Sequence, residues 1–534
     1  MPGQLLIFEY IRQDDIICDG AGGSPERGTR GMFSTRKHCE LRDSLIGLIS
    51  STAFVGALPP ITDLSQNYAQ AQATAADSNL SSRELTVRQK QLLEVAKEAY
   101  LWGWPLVYVR QLSVALERVP APGVSGGLPV APINELSMLT NTIKPGAGAI
   151  PCANQDVIYG FGLFDLEREP VVFQVPDFGD RFWLYQLGDQ RTDAFAELGC
   201  MYKTAPGSYL VASEEWDQPI PEGIREVFRC STRYCYLLPR VYFENCDADR
   251  ATVMPAIREI GAYPLSSFDN STQIFSWDKP RWFPNVGRAG RARQVAPDTF
   301  FETFSHVLKD VPPKPGEEAM YKRFEELAHE KQRDPLFAAE LKNIAPSFDR
   351  DVVQPLFEFR NVGVELPGYW TTIFNGAAFG NDYKTRTAVA KSNPFVNRRN
   401  EAAYYYLDLD SAGSQLLGEN RYEITFSSST LPPADGFWSL TVYDERHVLP
   451  ENIRGRITIG SRDRSVLFNP DGSLTIIVDR TATECENVPG VAQPASKNIL
   501  SSPPGKFSLY LRLYQPREEA QSGRWAPPAV RRIR

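Results

Sequence analysis

The chain has 534 residues, 42% of them hydrophobic and 23% charged, with a formal net charge of −8. That length supplies two or three domains with large buried cores, and the composition is ordinary for a globular chain. Negative charge without a basic domain speaks against an electrostatic nucleic-acid binder. The four histidines (His38, His306, His329, His447) show no metal-ligand spacing on one element, which speaks against a His-cluster zinc or iron site. No Walker loop, dinucleotide fingerprint or nucleophile elbow is present, so no cofactor and no metal are assigned.

Residues 1–84 read as a leader. From Met32 a basic stretch (Arg36, Lys37, His38, Arg42) precedes a modest apolar core at 44–58 and an alanine-rich end at 69–73. Charge, core and small-residue site in that order match an export signal, cut near Ala71 or Ala73, and predict a periplasmic or secreted protein. The core is shorter than the ~20 residues a membrane span requires, so no stable span is expected, with a retained anchor as the alternative. In an oxidising compartment one disulfide among Cys230, Cys235 and Cys246 is expected.

Residues 85–295 form the first β-rich domain. Apolar residues at 92, 95, 96, 99 and 100 predict a helix over 85–109 that stops at Gly103-Trp104-Pro105, because proline disfavours helix at the residue before it. Residues 120–151, rich in Pro and Gly, read as a long loop that delivers the chain to Asn154 and is a candidate lid. Residues 154–195 read as three strands, with a hairpin loop at 176–180. They carry the first candidate site: Asp156, Asp189 and Arg191 as catalytic groups, with Asn154, Tyr159 and Tyr185 as ligand contacts. Two carboxylates with an arginine between them suit acid/base work on an anion. The same residues, with Asp193, equally suit a structural network tying strand ends together. Further strands are expected at 207–211 and 230–242, and a short helix at 253–260.

Residues 296–358 read as a helical connector, with an amphipathic helix at 298–308 and two more at 317–331 and 335–344. Residues 359–534 read almost wholly as strands and turns, hence a sandwich or jelly roll. The last strand, 507–514, alternates most cleanly: Phe507, Leu509, Leu511 and Leu513 one way, Ser508, Tyr510, Arg512 and Tyr514 the other. A second candidate site comprises Trp438, Tyr443, Arg454 and Arg456, which suits an anion, or is a solvated charged strand. The fold class is α+β, mainly β, with two β-rich domains joined by helices.

The runs NQDVIYG, EPVVFQVPD and RFWLYQLGDQRTDAF (from 154) resemble the domain-of-unknown-function 1254 family, which reads Asn-Asn-Asp where this chain has Asn154, Gln155 and Asp156. The runs LPPADGFWSLTVYD (431–444), NPDGSLTIIV (469–478) and FSLYLRLYQP (507–516) resemble the domain-of-unknown-function 1214 family. The resemblance implies a tandem of two β-rich domains and supplies no activity. Two functions follow from the residues. One is an exported hydrolase for a small polar or anionic substrate such as a sugar or phosphate ester. The other is a non-catalytic carbohydrate or small-molecule binder using Trp438 or Trp370 as an aromatic platform. A Ser–His mechanism would have only His447 as base. The expected partner is a small-molecule ligand, with self-association into a homo-oligomer left open.

Overall fold

The computed structural model describes residues 84–146, 150–283, 295–451, 455–481 and 498–533. The expected leader, its export signal and Arg454 lie outside the described residues. Helix α1 (Val87–Leu116) opens the fold. Its start is a capping box, in which the Thr86 hydroxyl accepts from the Gln89 amide at 3.2 Å and Gln89 Oε1 accepts from the Thr86 amide at 3.0 Å. The expected stop at Pro105 is overturned, since α1 runs eleven residues beyond it, to Leu116. Proline cannot donate to the carbonyl four residues back, that of Leu101. The Thr387 hydroxyl fills the place, donating to that carbonyl at 2.7 Å. With residues 102–109 buried all round, packing overrides the local signal.

The first β region contains β1 (Gly123–Ser125), β2 (Leu128–Val130), β3 (Leu136–Met138), β4 (Val157–Asp165), β5 (Val171–Val175), β6 (Trp183–Asp189), β7 (Leu198–Gly199), β8 (Gly207–Ser213), β9 (Ile224–Cys230), β10 (Tyr234–Tyr242), β11 (Ala262–Pro264) and β12 (Arg281–Trp282). They form sheets ordered β3-β4-β10-β6-β7, β11-β5-β8-β9 and β12-β1-β2. The stretch expected as a loop at 120–151 therefore holds three short strands. The expected hairpin at 176–180 is absent: β5 and β6 are buried throughout and lie in different sheets. The loop carries the chain across a sandwich instead. Its core sets Cys235, Leu237 and Val241 of β10 against Phe173, Val175 and Val211 of the other sheet. The opposite face of β10, bearing Tyr234, Tyr236 and Leu238, meets α1 and the helices after it.

Helix α2 (Asp247–Glu259) starts before the expected position, and α3 (Phe300–Asp310), α4 (Glu318–Arg333) and α5 (Pro335–Phe348) occupy the connector. Phe300, Phe304, Tyr321 and Phe324 pack on Tyr100 and Trp102 of α1, so these aromatics are core. Asp334 caps α5 by accepting from the Leu336 amide at 3.0 Å, with Pro335 at the first helical position. A helix the strand-like reading of 359–534 missed, α6 (Tyr383–Ser392), packs beside α1 and carries Thr387.

The second β region holds β13 (Val364–Glu365), β14 (Thr371–Thr372), β15 (Ala402–Leu407), β16 (Tyr422–Phe426), β17 (Ala434–Asp444), β18 (Thr458–Gly460), β19 (Leu474–Val478), β20 (Ile499–Leu500), β21 (Phe507–Pro516) and β22 (Arg531–Arg532). Sheets β13-β14-β15-β21-β17-β18 and β20-β19-β16-β22 pack face to face over Leu509, Leu511, Leu513, Ile424 and Ile476, the expected sandwich. The outer face of the larger sheet, with Tyr404, Tyr510 and Tyr514, packs against Val157, Leu184 and Tyr242 of the first region. Among the described residues Cys152, Cys200, Cys230, Cys235 and Cys246 are free thiols, so the expected bridge is not formed. No described helix is long and apolar enough to cross a membrane.

Replacing Thr387 by valine keeps its shape and strands the Leu101 carbonyl. Urea unfolding is expected to show a loss of about 1–3 kcal/mol with an unchanged m-value. An unchanged midpoint would mean that another donor reaches that carbonyl.

Candidate functional site

Where the two β regions meet, the structure encloses a cavity of about 130 Å³. Its inner end is built by β21, whose alternation aims Tyr510, Arg512 and Tyr514 away from the sandwich core. Tyr159 of β4 and Arg240 of β10 face them from the first region, and Tyr404 of β15 and Asn393 add to the polar lining. The walls are apolar, among them Leu112, Leu128, Val130, Ile143 and Phe395. Leu112, Leu128 and Ile150 are partly exposed and mark the mouth.

Arg512 is 2% exposed. Its guanidinium lies 3.6 Å from the Tyr510 ring centroid and donates through Nη2 to the Cys152 carbonyl. Its Nη1 has no hydrogen-bond partner among the described residues. Arg240, also buried, donates to Gln186 Oε1 at 3.0 Å and to the Phe395 carbonyl at 2.6 Å. These acceptors are neutral, so two cations face the cavity without a bonded counter-charge among the described residues. Burial pushes the Tyr404 hydroxyl and the Cys152 thiol each up to about 12. A thiol so raised is protonated and a poor nucleophile. Chemically, the inner end can hold and orient a polar or anionic group in a low-dielectric pocket.

Four of the candidate residues gather beside this cavity. Tyr159 lines it, and burial raises its phenol while Arg240 and Arg512 pull it back. Asn154 donates through Nδ2 to the Tyr514 hydroxyl, and its Oδ1 accepts from the Asp156 amide at 3.2 Å. Asp156 accepts from the Ser439 hydroxyl of β17 at 2.6 Å. Burial pushes its carboxyl up, and the Ser439 bond and the Arg512 charge oppose this. Tyr443 donates to the Ala153 carbonyl at 2.6 Å, and its ring lies beneath the Arg512 guanidinium.

The other candidates lie elsewhere. Asp189 and Arg191 do not converge with Asp156. Both β4 and β6 pair with β10, but Val157 is level with Tyr242, whereas Asp189 is level with Cys235 at the far end. At about 3.4 Å per residue the seven residues between those levels separate the two acids by roughly 24 Å or more. Arg191 Nη1 bonds Asp189 Oδ2 at 3.2 Å and its Nη2 donates to the Pro312 carbonyl. Asp193 accepts from Lys314 Nζ at 2.7 Å, from Arg386 Nη2 at 3.2 Å and from the Phe379 amide at 2.8 Å. Burial raises Asp189, reinforced by Asp193; burial also acts on Asp193, but Arg386 and Lys314 hold it below the usual range. This is the structural network, joining β6 to the α3–α4 loop and α6.

Tyr185 shares a strand face with Trp183 and Leu187, which places it in the first sandwich core, where its hydroxyl donates to the Gln174 carbonyl at 3.2 Å. Trp438 alternates with Tyr443 and so points into the second sandwich, near Phe426; Trp370 is buried there too, and neither lines the cavity. Arg456 pairs with Asp463 at 2.8 Å and Ser465 at 2.6 Å, away from the cavity. His447 stacks on Phe359 at 3.8 Å with Nδ1 unpartnered among the described residues, which does not fit a base for a serine. Arg240, Asn393, Tyr404, Tyr510, Arg512 and Tyr514 were missed as site residues. Their signal was present in β21, where an arginine flanked by tyrosines alternates with a row of leucines.

These features define a protein of two β regions enclosing a ligand-sized chamber. Two family models match in tandem: Protein of unknown function (DUF1254) over residues 133–264 and Protein of unknown function (DUF1214) over residues 401–518. The chain is a tandem DUF1254–DUF1214 protein. The first match contains Tyr159 and Arg240, the second Tyr404, Tyr510, Arg512 and Tyr514. Among solved structures, the VPA0106 protein from Vibrio parahaemolyticus is similar in fold, at 19% identity and a TM-score of 0.55, covering 83% of this chain and 100% of that one. An uncharacterized protein from Burkholderia cenocepacia aligns at 14% identity with a TM-score of 0.39, covering 83% and 95%. No curated protein matches the sequence.

Burial lowers the His447 pKa from 6.5 to about 3. The unfolded chain binds this proton below about pH 6.5 and the folded protein does not, so stability is full above that pH and falls as pH drops towards 3. The slope approaches about 1.4 kcal/mol per pH unit from this residue. His447→Asn suits the positive φ of 58° and does not titrate. Its urea midpoint is expected to fall less steeply than that of wild type between pH 6 and 4; parallel curves would contradict the neutral burial.

Proposed function

We propose that this protein binds a small molecule in the chamber between its two β regions, and does so without turning it over. The observation that carries the reading is the chamber itself: apolar walls, a partly exposed mouth and a few fixed polar groups at the inner end, the pattern of a small-molecule site. Its volume is close to the ~150 Å³ of an engineered apolar cavity that takes up benzene, so a one-ring or short-chain body fits. The hydrolase reading required a second acid or base beside Asp156. Asp189 is far away and engaged in its own network, and His447 is stacked between rings. Asp156 instead accepts from Ser439 and Asn154 donates to Tyr514, and these bonds fasten the start of β4 to the second region.

Titration calorimetry of the full-length protein with benzyl alcohol and with hexanol is expected to give saturable binding. Leu128→Trp fills the mouth and is expected to weaken it by about tenfold or more, that is 1.4 kcal/mol, while far- and near-UV spectra stay unchanged. Equal binding by the filled variant would place the ligand elsewhere. Release of nitrophenol from nitrophenyl phosphate or nitrophenyl glycosides by wild type, abolished in Asp156→Asn, would restore the hydrolase reading.

We also infer that the protein is exported, on the basic stretch, short apolar core and alanine-rich site of its leader. N-terminal sequencing of protein recovered from the periplasm or medium of an expressing bacterium is expected to begin after Ala71 or Ala73. An intact leader on cytoplasmic protein would contradict export.

A further inference from the structure

We propose that the ligand of the chamber is a small organic monoanion, a carboxylate on an aryl or short alkyl body, which enters apolar end outward and rests its carboxylate on Arg512. This rests on the chamber being a ligand site.

The argument begins with protons. A phenol donates one hydrogen bond and accepts through its oxygen. The Tyr404 oxygen accepts from the Asn397 amide at 2.8 Å, and the Tyr514 oxygen accepts from Asn154 Nδ2. With N–H donors on their oxygens, these two hydroxyls keep their protons for another acceptor, and the Tyr159 phenol lines the same end of the cavity. Arg512 adds Nη1, buried and without a hydrogen-bond partner among the described residues. The inner end is thus rich in donors, and its complement is a group that accepts several hydrogen bonds at once.

Charge selects an anion among such acceptors. A buried guanidinium whose bonds go to neutral groups carries an uncompensated cost, which a ligand carboxylate relieves. Asp156 lies within reach of the Arg512 field, but the side-chain bond its carboxylate makes is to Ser439 and not to the guanidinium. Glu401, on which the Arg240 charge acts, is bonded by Tyr202 at 3.0 Å. The free donor count then sets the size of the anion. Arg240 places one N–H of each terminal nitrogen on Gln186 and Phe395, and Arg512 Nη1 is the cavity guanidinium nitrogen without a partner among the described residues. One edge and a few hydroxyls match a planar monoanionic carboxylate; a phosphate dianion calls for more free cationic donors. The Tyr510 ring under Arg512 holds that edge in place before binding. Leu112, Leu128 and Ile143 then receive the apolar body.

The test compares benzoate, benzyl alcohol and benzylammonium by calorimetry on the full-length protein. Benzoate is expected to bind roughly tenfold or more tighter than benzyl alcohol, a charged against a neutral hydrogen bond, with benzylammonium weakest. Arg512→Gln is expected to cost benzoate roughly 30-fold and benzyl alcohol under about threefold. Arg512 also braces Cys152, so Tyr159→Phe serves as a second variant that removes only one donor, with an expected loss of about fivefold for benzoate alone. Benzoate binding no tighter than benzyl alcohol, with both displaced by Leu128→Trp, would overturn the anion and leave the chamber as a binding site. Binding of neither compound would overturn the chamber itself.

Discussion

β21 has no face open to water, and that constraint organises the protein. One row of its side chains, Leu509, Leu511 and Leu513, fills the second sandwich. The other row, Tyr510, Arg512 and Tyr514, must find partners in the layer that packs against it. A guanidinium that is 2% exposed cannot be left to solvent, so the neighbouring backbone and rings close around it: the Cys152 carbonyl, Tyr510 and Tyr443. Asn154 on Tyr514, Ser439 on Asp156 and Tyr443 on the Ala153 carbonyl fasten the same short segment to the same sheet. The start of β4 is thereby held by the second β region, and the chamber is what the two surfaces leave between them.

The rest of the scaffold keeps that meeting rigid. α1 passes beside the chamber and contributes Tyr108 and Leu112 to it, in the part of the helix that continues past Pro105. Without the Thr387 hydroxyl on Leu101, continuing the helix there would leave a buried carbonyl unpaired. At the far end of β6, Asp189, Arg191 and Asp193 draw the α3–α4 loop and α6 to the first region. Breaking one partner of such a buried network is far more costly than breaking a surface pair. These charges bond one another and the frame, a placement that their order along the chain does not show.

The periodic parts of the fold were legible from the residues. The connector helices and the strands of the second region follow patterns with period 3.6 or 2, and the two faces of 507–514 fall as expected. What was not legible depends on contacts distant in sequence. Nothing within 100–110 announces that Thr387 will satisfy Leu101, and nothing within 170–188 shows that two adjacent strands will join different sheets. At the site, Asn154, Asp156, Tyr159 and Tyr443 were singled out from local chemistry and lie together. Asp189 and Tyr185 were not separable from them, because facing within a strand does not tell which layer a face meets. The clearest clue, an arginine among tyrosines opposite a row of leucines, sat in the strand whose alternation was already plain.

A crystal structure of the protein with 4-bromobenzoate, located by the anomalous signal of bromine, tests the central claim most directly. The account predicts bromine among Leu112, Leu128 and Ile143, with the carboxylate against Arg512 Nη1 and the Tyr159 hydroxyl. Bromine outside the chamber, or a carboxylate turned to the mouth with Arg512 left unbonded, would contradict it.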